Sequence, residues 1–117
     1  MIYSIDFDGT IVTHMFPAIG SPIEETVAFI KSVQEHPFDR WILNTMREGS
    51  KLEEAVSFLH GIGLFPDAVN DNLPDIKATW GNNPRKIYAD VYIDDRNEGG
   101  LRLPGEFGKN WKGDGVK

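Results

Sequence analysis

The sequence predicts an α/β domain, a three-layer Rossmann-like fold with a parallel sheet and helices on both faces. Three observations carry that expectation. Short apolar runs of strand length at Ile2–Phe7, Arg40–Asn44 and Ala89–Asp94 alternate with stretches of helical periodicity. The runs close on oxygen-bearing side chains: Asp6 and Asp8, then Thr45, then Asp94 and Asp95. Strands joined through helices pair in parallel, so those polar ends fall on one edge of the sheet, where ligands collect in such folds.

Taken in order, Ile2–Phe7 is the first strand, and Gly9, Pro17, Gly20 and Pro22 make the stretch from Gly9 to Pro22 irregular. Ser21 as N-cap, Pro22 at the first helical position, and Glu24 and Glu25 in the first turn predict a helix start. Ile23, Val27, Ile30 and Val33 form its apolar stripe, and it ends before Pro37. Arg40–Asn44 is the second strand, with Trp41 a packing residue. Ser50–Leu59 is a second helix with Leu52, Val56 and Leu59 inward, closed by the Gly61–Gly63 segment. Asp67–Asn70 is a short third strand, followed by turn chemistry at Asp71, Asn72 and Pro74 and a helical turn over Asp75–Trp80. Ala89–Asp94 is a further buried strand. Leu101–Leu103 is a short edge strand in an otherwise irregular tail, where glycines recur from Gly99 to Gly115. Trp80 and Trp111 fall in turn-rich surroundings and are assigned to packing.

With 117 residues, the chain suits one domain and one core. A net charge of −6 argues against nucleic-acid binding through bulk positive charge and is compatible with a bound cation. The absence of cysteine excludes disulfides and thiolate metal sites. No apolar run is long enough to span a bilayer as a helix, and no basic segment leads an apolar one at the start. The expectation is a cytoplasmic protein.

A buried strand that ends in two aspartates has either reached water or brought its charges to a cation. Unit charges about 4 Å apart repel by roughly 4 kcal/mol at an intermediate dielectric. Carboxylates gathered at one sheet edge therefore call for a cation or shared protons. Oxygen donors without His or Cys select a hard ion, Mg²⁺, which keeps positions open for water and phosphate oxygens. Thr45 offers a hydroxyl, and Gly9 and Thr10 offer backbone N–H groups, so the set suits a phosphate.

These residues resemble the haloacid dehalogenase superfamily. "DFDGTIV" is similar to its first motif, "ILNT" ending at Thr45 to its second and "YIDD" ending at Asp95 to its fourth. Lys86 stands at a spacing that suits the third-motif lysine, with Lys77 its rival. The resemblance runs from Ile2 to about Arg96. It implies a Mg²⁺-dependent phosphomonoester hydrolase working through an aspartyl-phosphate. Asp6 is then the nucleophile and Asp8 the general acid and base. Thr45 and Lys86 hold the phosphoryl group, with Gly9, Thr10 and Met46 beside them in the phosphate-binding set. The implied metal set is Asp6, Asp8, Asp94 and Asp95, in which Asp8 contributes its backbone carbonyl and Asp95 acts at one remove. The second aspartate favours phosphoryl transfer over the dehalogenase branch. A receiver domain, phosphorylated on a middle strand, fits the motif order poorly.

The intervals between motifs leave no room for a cap domain, so the site is expected to be open or covered by an oligomeric partner. The substrate class is left undefined by the sequence. Arg47, just past the second motif, is a candidate substrate contact resembling one in polynucleotide 3′-phosphatases, or else pairs with Glu48 or Glu53. On that reading nucleic acid enters only as a substrate. His14 is a candidate contact at the cleft entrance, with a plain surface histidine as the alternative. A non-catalytic module that keeps the fold is the remaining alternative.

Overall fold

The computed structural model describes residues 1–80, 87–94 and 103. Its strands are β1 (Ile2–Ile5), β2 (Arg40–Leu43), β3 (Ala68–Val69) and β4 (Val91–Ile93). They form one sheet in the order β3-β2-β1-β4, with every pairing parallel. Three helices connect them: α1 (Glu24–Glu35), α2 (Gly49–Gly61) and α3 (Pro74–Trp80).

Strand alternation sorts side chains onto the two faces. Ile5, Trp41 and Leu43, with Phe7 just beyond β1, pack against Phe29, Ile30 and Val33 of α1 and Ala55 and Leu59 of α2. Tyr3 meets Phe29 edge-on with ring centroids 5.2 Å apart. Ile2 and Ile42 face the other way, onto Leu73, Ala89 and Ile76 of α3. The sheet is thus covered on both faces, as its near-continuous apolar strands require. Gln34 ties three parts of this core together. Its carbonyl accepts from the Trp41 indole N–H at 3.0 Å and from the Phe65 N–H at 2.6 Å, and its amide donates to the Gly63 carbonyl at 3.0 Å.

The start of α1 differs from expectation. Its N-cap is Ile23, with no side-chain capping hydrogen bond. Ser21 and Pro22 are used elsewhere: Pro22 bridges antiparallel to Val12, and the Ser21 carbonyl accepts the Thr13 N–H at 2.8 Å. The buried stripe of α1 is Thr26, Phe29, Ile30 and Val33, while Ile23 and Val27 are only half-buried. α2 closes near the expected glycines. The Ile62 N–H reaches back to Phe58 and Leu59, and Gly63 adopts φ 85°, a left-handed conformation suited to glycine. The predicted helical turn after Pro74 is a seven-residue helix.

Among the described residues, α1 is the helix between β1 and β2, and α2 the helix between β2 and β3. No cap domain interrupts the sheet there. None of these helices is long and apolar enough to cross a membrane. The expected edge strand at Leu101–Leu103 and the irregular tail lie outside the described residues, apart from Leu103, which is buried against the main core. Strand order reverses between β1 and β4, because the chain runs from β1 outward through β2 and β3 and returns on the other side. A parallel sheet presents its ligand crevice at that point, at the carboxyl ends of the strands.

Candidate active site

The β1–β4 ladder continues one residue past β1, where the Asp6 N–H donates to the Ile93 carbonyl at 3.0 Å. The chain then folds over Phe7, whose side chain is fully buried. The Phe7 carbonyl accepts from the N–H groups of Thr10, Ile11 and Val12 at 3.1, 2.9 and 3.2 Å. Gly9 stands at φ 84°, a conformation that L side chains resist, and lets this turn close directly behind Asp8. Asp6 and Asp8 emerge on either side of the buried phenylalanine, and both line one cleft of about 530 Å³.

β2 and β4 supply the rest of the cleft. Ile5 pairs with Ile93, so Asp6 and Asp94 are the next residues on neighbouring strands, and Asp94 lines the same cleft. Asn44 and Thr45 follow β2 into it, with Met46, Arg47, His14 and Phe16 around them. Thr45 is held at both ends. Its N–H donates to Asn70 Oδ1 at 2.7 Å, and its hydroxyl accepts the Arg47 N–H at 3.1 Å. Asn70 ends β3 in the left-handed region at φ 52°, and its own N–H donates to the Leu43 carbonyl at 2.7 Å.

Arg47 is the most constrained side chain of the site. Its Nε and Nη2 donate to the two carboxylate oxygens of Asp8, each at 2.8 Å. Nη2 also donates to the Ala18 carbonyl at 2.9 Å, and Nη1 makes longer contacts with the carbonyls of Pro17 and Lys51 at 3.4 and 3.5 Å. The guanidinium lies 5.1 Å from the Phe7 ring centre and 4.9 Å from that of Phe16. Its side chain is 1% exposed and that of Asp8 is 15% exposed. The hydrogen bond to Asp8 raises the Arg47 pKa above its ordinary value, against burial, which works the other way.

The structure therefore brings together Asp6, Asp8, Asp94, Thr45, Met46, Arg47 and His14 from the predicted set. It adds Asn44 and Phe16, and Asn70 behind them, which the sequence reading did not single out. An Asn closing a short strand, tolerant of the left-handed region, was the available signal for Asn70. Other expectations are revised. The N–H groups of Gly9 and Thr10 do not serve as a phosphate cradle, since they donate to the carbonyls of Val12 and Phe7. Arg47 pairs with Asp8 rather than with Glu48 or Glu53, and its guanidinium is too buried to project toward a substrate. Lys77 binds Asp71 at 2.7 Å and is not part of the cleft lining. Lys86 and Asp95 lie outside the described residues.

The metal set also changes. Among the described residues, no three His, Cys, Asp or Glu side chains are grouped to hold an ion. Asp8 commits both carboxylate oxygens to Arg47. Asp6 and Asp94 line the cleft from the ends of neighbouring strands. That all-oxygen set suits Mg²⁺, which binds through one or two carboxylates and keeps several waters.

Fold and site together define a small α/β domain with an acidic cleft at the switch point of a parallel sheet. No family model and no curated protein matches the chain. Among solved structures, a conserved protein from Bacteroides thetaiotaomicron is 40% identical and superposes with a TM-score of 0.76. The match covers 88% of this chain and 82% of that one. The chain belongs to the family of that conserved protein.

Proposed function

We propose that this protein is a capless phosphatase of the haloacid dehalogenase type, a Mg²⁺-dependent phosphomonoester hydrolase that works through an aspartyl-phosphate on Asp6. The observation that carries this reading is the convergence of Asp6, Asp8, Thr45 and Asp94, from three strand ends, on a single cleft.

In the first step an Asp6 oxygen bonds to phosphorus and the ester P–O bond breaks. Asp8 gives a proton to the departing oxygen, which requires it to part from at least one Arg47 N–H. In the second step water attacks the phosphorus of the aspartyl-phosphate. Asp8 takes the proton from that water, and inorganic phosphate and the Asp6 carboxylate are released. Thr45 accepts through its oxygen from the Arg47 N–H, which leaves its hydroxyl proton to donate to a phosphoryl oxygen. Lys86 is assigned by its motif to the phosphoryl charge. Asp6, Asp94 and the Asp8 carbonyl would hold Mg²⁺, whose positive charge offsets the repulsion between carboxylate and phosphate.

Purified protein with an aryl phosphate should release phosphate only when Mg²⁺ is present. Asp6→Asn should abolish release and also prevent formation of a beryllofluoride adduct. Full activity in Asp6→Asn or in EDTA sinks the reading, and failure of the wild-type chain to form the adduct favours a non-catalytic module. The nucleic-acid end-processing alternative loses support, because the arginine that suggested it is enclosed by Asp8, Pro17 and Ala18. It predicts a much higher kcat/KM on a 3′-phosphorylated oligonucleotide than on small esters.

A further inference from the structure

The cleft is lined by carboxylates, but two exposed apolar side chains share the lining with them and with His14. Phe16 is 52% exposed and Met46 is 85% exposed, and both line the same space as Asp6 and Asp8. Hydrolysis of a phosphoester does not itself require either side chain. Leaving a Met and a Phe this open forgoes stabilisation that burial would give.

Neither side chain sits on loose backbone. Phe16 belongs to a loop closed at its base by the Thr13 N–H on the Ser21 carbonyl at 2.8 Å and the Ser21 N–H on Thr13 Oγ1 at 2.9 Å. Its ring is backed by the Arg47 guanidinium, itself fixed by Asp8. Met46 stands between Thr45 and Arg47, which are joined by the hydrogen bond across it. Two apolar groups are thus presented from opposite segments beside the carboxylates. An aromatic side chain and a polarisable thioether lining one cleft suit a planar ring.

Size narrows the occupant further. A cleft of about 530 Å³ falls within the range of small-molecule sites, roughly 300–1,000 Å³, and is larger than a phosphate needs.

The geometry points to a phosphomonoester whose ester-side group is an aromatic ring, seated against Phe16 and Met46. This rests on the phosphatase reading and names its substrate class. Benzyl and n-butyl phosphate both leave as primary alkoxides, so a preference between them reports the ring rather than leaving-group reactivity. Their phosphonate analogues report binding without turnover. Calorimetry of the full chain with Mg²⁺ should show benzylphosphonate binding about tenfold tighter than butylphosphonate. The KM values of the two esters should differ in the same sense.

Met46→Ala has little packing to lose, and Phe16→Leu keeps a cover over Arg47. Each should shrink the benzyl-to-butyl ratio roughly threefold. Equal binding of the two phosphonates, an unchanged ratio in both variants, or equal binding of cyclohexylmethylphosphonate overturns the inference. Hydrolysis of both esters without a ring preference overturns it while sparing the phosphatase reading. Ring-selective binding without turnover of any ester does the reverse. With neither binding nor turnover, both fall.

Discussion

Asp8 and Arg47 meet across 39 residues of chain, and the pair shows what one residue can decide. The guanidinium satisfies both oxygens of a carboxylate that would otherwise stand half-buried beside Asp6 and Asp94. Arg47→Met removes the cation and strands the acid, a loss of about 3 kcal/mol for a pair this enclosed. A lower urea midpoint with an unchanged slope is the expected observation. Arg47→Lys should fall between the two, because a point charge cannot reproduce the fork that reaches both oxygens and the Ala18 carbonyl. A double-mutant cycle with Asp8→Asn should return a coupling of at least about 1 kcal/mol; additive effects would mean that the two residues act independently. Asp6, Asp8 and Asp94 were legible because they close apolar runs, and strand direction carries such residues to one edge. The partner of Arg47 was not legible. It depends on where the carbonyls of Pro17 and Ala18 lie, and nothing local in the sequence of that loop sets their position.

At the scale of elements, α1 shows where local signals lose to tertiary ones. Ser-Pro-x-Glu-Glu is a strong helix start, yet the helix begins two residues after Pro22, because Ser21 and Pro22 are paired with Thr13 and Val12. Gly20 belongs to the same pairing, and a Cβ there would overlap the Thr13 carbonyl and hydroxyl oxygens. Gly20→Ala should lower stability by about 1–3 kcal/mol, read as a fall in Tm. An unchanged Tm would mean that the loop can open without cost. The stripe of α1 also includes a residue that apolar periodicity passes over. Thr26 is fully buried, and its hydroxyl has no partner among the described residues. Thr26→Val keeps the shape and removes a stranded polar atom, so it should stabilise by about 1 kcal/mol. A loss of stability on urea titration would show that the hydroxyl is satisfied after all. The strands and α2 were read to within a few residues because apolar runs and glycine stops are local properties. The loops that shape the cleft depend on contacts distant in sequence.

At the scale of the whole molecule, the candidate site lies apart from a set of carboxylate clamps. The cleft lies at the carboxyl edge of the sheet, while carboxylates fasten the opposite edge, where β1 and β2 begin, and two of them have lowered pKa values. Asp90 accepts the Ile2 N–H at 2.7 Å and the Tyr88 hydroxyl at 3.0 Å, and returns its own N–H to the Ile2 carbonyl at 2.8 Å. Its pKa is held below the ordinary carboxylate value, chiefly by the Ile2 N–H. Asp75 takes a two-pronged contact from Arg40 at 2.8 and 3.1 Å, and that hydrogen bond likewise holds its pKa down. A carboxylate whose folded pKa lies below its unfolded value binds fewer protons when folded. Its contribution is therefore complete above the unfolded pKa and is lost as pH falls through the folded one. Stability should hold steady at neutral pH and decline below the ordinary carboxylate range. Asp90→Asn should lower stability at neutral pH and flatten the acid limb. Asp75→Asn should do so weakly, since both partners of that pair are solvent-exposed. Added salt should weaken the Asp75 contribution more than that of Asp90, which is made largely by a backbone hydrogen bond. Urea midpoints across an acid series, for the wild type and both variants, test the assignment. Parallel acid limbs in all three proteins would place the proton uptake on other carboxylates.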